Sequence, residues 1–224
     1  VPAPEWAFWM SDERMNAAPE AMRGAFQNVR RVFGPVAANV KRFEPGAEVA
    51  AVTEAAMRGE LDFFGALTAR AQLLAGLPYE TALDICRALP LMPGARETVQ
   101  GLRERGCRVV VFSGGFREAT RHHARVLGAD ADFANFLHVQ GGLLTGRVGG
   151  EMMAEAKGEM LERLQGLLGI APEETLAVGD GANDLSLFAH ARLRVAFRAK
   201  PILREAADHC LDEKDLRSVL GLLG

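Results

Sequence analysis

In the run Thr175-Leu-Ala-Val-Gly-Asp-Gly-Ala-Asn-Asp184, two carboxylates, an amide and two glycines follow a short aliphatic stretch. Leu176, Ala177 and Val178 read as a brief, buried parallel strand. At the carboxyl end of such a strand, where open α/β sheets bind ligands, stand Asp180, Asn183 and Asp184. Hard oxygen donors on glycine-bent backbone suit Mg²⁺, which takes one or two protein carboxylates together with substrate phosphate. A turn capping a helix over Leu185–Ala191 would use the same residue types. The coincidence of strand end, two acids, an amide and two glycines favours a metal and anion site over a simple cap.

Three further places could serve such a site. A Val-rich strand, Arg108–Phe112, ends in Ser113-Gly114-Gly115-Phe116 ahead of a helix. There a hydroxyl and backbone N–H groups can hold a phosphate oxygen, although an ordinary helix cap would look alike. Lys157 starts a helix in Ala154-Glu-Ala-Lys-Gly-Glu159. A cation there opposes the helix dipole, so a nearby anion would account for it; otherwise it is a solvated surface lysine. Arg70 sits among the apolar residues of Leu67–Leu73, either as a bidentate grip for carboxylate or phosphate or as a snorkelling side chain.

The elements that must position these groups alternate from about Arg96 onward. Helices are expected over Arg96–Arg105, Arg117–Leu127, Ala156–Leu168, Leu185–Ala191 and from Pro201, with strands at Arg108–Phe112, Thr175–Val178 and Arg194–Phe197. Phe133–Val139 and Leu143–Val148 flank Gly141-Gly142 as a small hairpin. That alternation predicts a parallel, doubly wound α/β sheet. Residues 49–90 carry helical patterns only, Val49–Arg58, Phe63–Leu74 and Glu80–Leu89, and form a helical cap before the core of 91–224. Residues 1–48 show no clear strand–turn–helix order.

The 224 residues suffice for one large domain or a core plus a small unit. A net charge of −3 gives no reason to expect nucleic acid or an anionic membrane as partner, and the apolar stretches fall short of the ~20 residues that span a bilayer. Val1-Pro-Ala-Pro-Glu-Trp6 lacks a basic region, so no secretory signal is expected there. Cys86, Cys107 and Cys210, odd in number and widely spaced, read as reduced core cysteines of a cytoplasmic protein. A homo-oligomer is left open.

From Val49 to Gly224 the chain resembles phosphoserine phosphatases of the haloacid dehalogenase superfamily. The resemblance rests on Glu48–Phe63 with its Met57-Arg-Gly-Glu-Leu-Asp-Phe63, Val110-Val-Phe-Ser-Gly-Gly-Phe116, Phe133-Ala-Asn135, Leu144-Thr-Gly-Arg-Val148, Ala156-Lys157, Val178–Asp184 and Ala196–Pro201. It implies a Rossmann-like core with a helical cap, and Mg²⁺-dependent hydrolysis of O-phosphoserine, a small-molecule substrate, in the last step of serine synthesis. It also implies that Ser113 and the Gly114 amide bind phosphoryl oxygens and that Lys157 balances the charge of phosphate and nucleophile. By the same resemblance Asp180 ligates Mg²⁺, Asp184 supports the metal site from its side, and Asn183 touches the phosphate. Arg70 would pair with the substrate carboxylate while Met57 and Phe63 close over it. Other small phosphomonoesters stay open as substrates.

The family's chemistry also depends on a first strand ending in Asp-x-Asp-x-Thr, whose first Asp attacks phosphorus while the second acts as acid and base. No such motif stands in residues 1–48. If Asp12 took the acid/base place, Met10 would fall on the nucleophile, and Met cannot attack phosphorus. Three readings follow. Residues 1–48 are not the native sequence, as a shifted reading frame would produce; or the chain binds phosphate or phosphoserine without hydrolysing it; or it folds incompletely.

Overall fold

The computed structural model describes residues 62–150 and 157–223, together with Val52 and Met152. Met10, Asp12 and Met57 therefore lie outside the described residues, and Phe63 is described by its backbone alone. Seven α-helices of the described residues are α1 (Phe63–Gln72), α2 (Tyr79–Arg87), α3 (Ala95–Glu104), α4 (Arg117–Leu127), α5 (Lys157–Leu168), α6 (Leu185–Phe188) and α7 (Pro201–Arg204). The strands are β1 (Val110–Phe116), β2 (Ala131–Gln140), β3 (Leu143–Gly149), β4 (Leu176–Gly179), β5 (Leu193–Phe197) and β6 (His209–Leu211).

They form two three-stranded sheets, ordered β1-β2-β3 and β4-β5-β6. The second is parallel throughout, as helix–strand alternation demands, with Leu176 opposite Leu193 and Val195 opposite His209. The glycine hairpin forms as expected: β2 and β3 run antiparallel, and Gly141 and Gly142 take φ of 59° and 77°, a conformation that side chains rarely adopt.

The chain divides into two compact units. Of the described residues, one unit holds 62–89, 115–122 and 135–150. Its core joins Ala71, Leu77 and Ala82 of the helical segment to Leu137 and Leu144 of the hairpin. Of the three expected cap helices, Phe63–Leu74 and Glu80–Leu89 are present as α1 and α2, while Val49–Arg58 lies, apart from Val52, outside the described residues; the apolar side of α1 and α2 is covered by the hairpin. Asp62 caps α1, its carboxylate accepting the Gly65 N–H at 2.6 Å.

The other unit holds 90–114, 123–134 and the described residues beyond 150. It has two cores. One gathers Leu161, Ala177, Leu187, Phe188 and Leu203, the other Val195, Phe197 and Val219 with Leu176 packed against them. Leu176 and Ala177 are neighbours on β4, and successive strand residues point to opposite faces, so the two cores lie on the two faces of the parallel sheet.

Several expectations need correction. Two of the three cysteines, Cys107 and Cys210, are exposed, because each follows a turn or sits on a short edge strand rather than in the core. The helices expected over Leu185–Ala191 and from Pro201 shrink to four residues each, too short to bury a stripe of their own. β6 was not anticipated: His209-Cys210-Leu211 is too short to show any alternation.

Candidate active site

β4 delivers Asp180 at its carboxyl end, and the chain then turns through a 3₁₀ segment, Ala182–Asp184, into α6. The turn is organised around the Asp184 carboxylate, which is 4% exposed. Its Oδ2 accepts the backbone N–H groups of Asp180 at 3.0 Å and Gly181 at 3.3 Å. Its Oδ1 accepts the Lys157 ammonium at 2.5 Å. Asp184 thus folds back under the strand end, and Gly179 leaves room for it: a methyl group there would stand 2.5 Å from the Asp184 Cβ.

Lys157 is the first residue of α5 and is 9% exposed. The anion expected beside a lysine at a helix start is the Asp184 carboxylate, and Lys157 is not the solvated surface residue that its sequence context also permitted. α5 reaches Asp184 because Gly158 lets it press against α6. The Gly158 N–H donates to Ser186 Oγ at 3.1 Å, and a Cβ on Gly158 would come within 2.3 Å of the Ser186 carbonyl oxygen. Lower on the same helix, Gln165 donates to Thr175 Oγ1 at 2.7 Å and to the His190 carbonyl at 2.9 Å, fixing α5 to the start of β4.

The Asp180 and Asn183 side chains are exposed at the end of β4. The Asp180 carbonyl accepts the Lys200 N–H at 2.9 Å, which ties the site to the loop after β5. In that loop Arg198 holds φ 47°, a left-handed backbone that a non-glycine residue adopts only when its surroundings require it. Sequence reading missed Gly158, Gln165, Ser186 and Arg198. Gly158 beside Lys157 was a usable signal of close helix packing; nothing in the residue types marked the others.

Ser113 and Gly114 are not in a turn. β1 continues to Phe116 and enters α4 at Arg117 with no intervening loop, so the expected Ser-Gly-Gly turn is corrected to the carboxyl half of a strand. The extended backbone there lets the strand feed the helix directly. Arg70 belongs to the other unit; it is 8% exposed, so it is not a snorkelling surface arginine, and burial pulls its guanidinium below the usual range.

For a metal, the donor set is small. Among the described residues no cluster of three or more His, Cys, Asp or Glu could hold an ion unaided. Asp184 has both oxygens engaged, so it can only steady the site, whereas the exposed Asp180 carboxylate fits a hard cation that keeps waters and shares a substrate phosphate.

Comparison with known proteins identifies the family. Residues 16–192 match the family described as haloacid dehalogenase-like hydrolase, a span that begins inside the amino-terminal segment. A phosphoserine phosphatase of Wolinella succinogenes is 54% identical over 179 residues, 80% of this chain and 87% of the relative. One of Methanocaldococcus jannaschii is 47% identical over 174 residues, 77% of this chain and 82% of the relative. Among solved structures, a substrate-bound phosphoserine phosphatase complex matches with a TM-score of 0.75 at 44% identity, covering 82% of this chain and 88% of that one. A phospho-aspartyl intermediate analogue of phosphoserine phosphatase matches with the same TM-score, identity and coverage. With a buried lysine–carboxylate pair under an exposed Asp180, and with relatives of this closeness across most of its length, the chain belongs to the phosphoserine phosphatases of the haloacid dehalogenase-like hydrolases.

Proposed function

We propose that the site at the end of β4 handles O-phosphoserine with a Mg²⁺ ion, the chemistry of phosphoserine hydrolysis to serine and phosphate that ends serine synthesis. The observation that carries this reading is the buried Lys157–Asp184 pair beneath the exposed Asp180. Asp180 would hold the metal, with Asp184 steadying the Asp180 backbone from below. When bound, the ion would neutralise charge developing on a transferred phosphoryl group. Lys157, held at the anionic end of the site, would meet the phosphate as a fixed cation; the Asn183 side-chain amide, the Ser113 hydroxyl and the Gly114 N–H would donate to its oxygens and orient them. For the substrate carboxylate we assign Arg70, with Met57 and Phe63 as apolar cover. No nucleic acid or membrane enters this reading, and among the described residues no helix is long and apolar enough to cross a membrane.

A second reading has its own support: the sequence contains no Asp-x-Asp-x-Thr to attack phosphorus. A chain with the binding half of the site and no nucleophile would bind phosphoserine and leave it intact. Titration calorimetry with phosphoserine and Mg²⁺, run beside a phosphate-release assay, separates the two. Binding with little or no release is the expected result for this chain. Turnover at the rate of an ordinary phosphatase would show that an attacking group had been overlooked, and absence of binding would overturn both readings.

A further inference from the structure

The backbone of Asp180 is held from both sides. Its N–H donates to Asp184 Oδ2 at 3.0 Å, and its C=O accepts the Lys200 N–H at 2.9 Å. The second bond is one that a regular strand would not supply. In an extended chain successive N–H groups point to alternate sides, so residues two apart point the same way. On β5 the Leu193 N–H donates to the Thr175 C=O at 3.2 Å, on the β4 side. The Arg194 C=O accepts the Asp208 N–H at 2.9 Å, and the Arg198 N–H donates to the Leu211 C=O at 2.7 Å, both on the β6 side. Odd-numbered residues thus face β4 and even-numbered ones face β6. On that alternation Lys200 would face β6, yet its N–H points to β4.

The reversal falls at Arg198. With φ 47° it is the single non-glycine residue of positive φ among the described residues. Such a conformation persists only where the surroundings dictate it. They do so here from both ends. Val195, Ala196 and Phe197 ahead of it are buried in β5, and Leu203 behind it is buried with Leu161 and Ala177. Lys200 itself has φ −66° and ψ 154° as the residue that precedes α7, and the next residue, Pro201, has no N–H to offer in its place.

We propose that Arg198 is a positioning residue for the site at the end of β4. Its left-handed backbone aims the Lys200 N–H at the Asp180 carbonyl. With Asp184 holding the Asp180 N–H, the peptide planes on both sides of Asp180 are then fixed, and its exposed carboxylate projects from a preset backbone. The inference rests on the reading of Asp180 as the metal ligand, and adds what orients that ligand. A cation that takes few protein donors depends on how each is held by its neighbours. The conformation of residue 198 carries the effect, not its guanidinium.

The test uses the full chain and two pairs of variants. Lys200→Pro deletes the N–H at a residue whose φ of −66° a proline already has, and Lys200→Gln keeps it. Arg198→Val forces a β-branched residue into the left-handed region, which Arg198→Asn suits. Mn²⁺ uptake in the presence of phosphoserine, followed by electron paramagnetic resonance, should weaken about tenfold for Lys200→Pro and Arg198→Val and stay within about twofold for Lys200→Gln and Arg198→Asn. Equal affinity of the Asn and Val variants, or a loss in Lys200→Gln, would overturn the proposal. Amide exchange by NMR without metal gives a readout that a general loss of stability would not mimic. The Asp180 and Gly181 amides should exchange faster in Lys200→Pro and Arg198→Val, while the Gln165 amide in α5 keeps its rate. Unchanged exchange at Asp180, or acceleration throughout the chain, would also overturn it. Asp180→Asn separates the two readings. If that variant takes up Mn²⁺ as well as the unsubstituted chain, the metal reading of Asp180 fails, and the exchange pattern alone decides the positioning.

Discussion

At the scale of single residues, the pair Lys157–Asp184 sets the terms for the rest of the site. Each side chain is almost fully buried, so each needs the other, and breaking a buried pair by removing one partner costs about 3–5 kcal/mol. The two partners are not equivalent. Asp184 also accepts two backbone N–H groups, and each orphaned donor adds about 1–3 kcal/mol. Urea denaturation should therefore find Asp184→Ala more destabilising than Lys157→Met; the reverse order would mean that the carboxylate does not organise the turn. A second prediction concerns the thiols. Burial first, and Glu118 second, push the Cys86 thiol up to about 12, whereas Cys107 and Cys210 are exposed. Since the thiolate is the reacting form, iodoacetamide at pH 8 should label Cys107 and Cys210 in the folded chain and Cys86 only after unfolding. The linkage has a definite sign. A thiol whose folded value lies above its unfolded value of 9.0 leaves stability intact below pH 9 and removes it as pH rises from 9 toward 12. Replacing Cys86 with Ala should flatten that alkaline loss in a pH series of melting curves.

At the scale of elements, positions are set by how closely helices and strand ends approach. Gly158 lets α5 lie on α6, and the Cβ of an alanine there would fall 2.3 Å from a backbone oxygen that cannot move aside cheaply. Gly158→Ala should cost about 1–3 kcal/mol by overpacking and displace Lys157 with it, so phosphoserine binding by calorimetry should weaken together with stability. Gly166→Ala, on the same helix with open space around its Cβ position, should do neither. The same contrast explains what the chain made legible. Long periodic segments such as Arg117–Leu127, and the glycine hairpin, carry their own pattern and formed as expected. β6 and the 3₁₀ segment Leu216–Leu222 depend on neighbours for their conformation and carry no pattern of their own. In the site, Asp180, Asp184 and Lys157 were readable because charged groups at a strand end and a helix start are costly without a purpose. Ser186, Gln165 and the strained Arg198 were not, since their roles follow from tertiary contacts that no local spacing encodes.

At the scale of the whole molecule, charge and apolar exposure act together. The formal net charge is −3 at neutral pH with all five histidines counted as neutral, and the isoelectric point lies near 6.0. Acidifying from pH 8 toward that isoelectric point brings the net charge toward zero. Repulsion between molecules then fades while apolar surface stays in place: Leu167 is 84% exposed and Ile202 50%. Light scattering at constant ionic strength should accordingly rise as pH falls from 8 to 6. Leu167→Gln separates the two contributions, because it removes the most exposed large apolar side chain among the described residues and leaves the net charge at −3. The variant should scatter less at every pH while keeping its maximum near pH 6. A maximum that moves with this substitution would show that charge is not what controls association, and unchanged scattering would show that Leu167 takes no part in it.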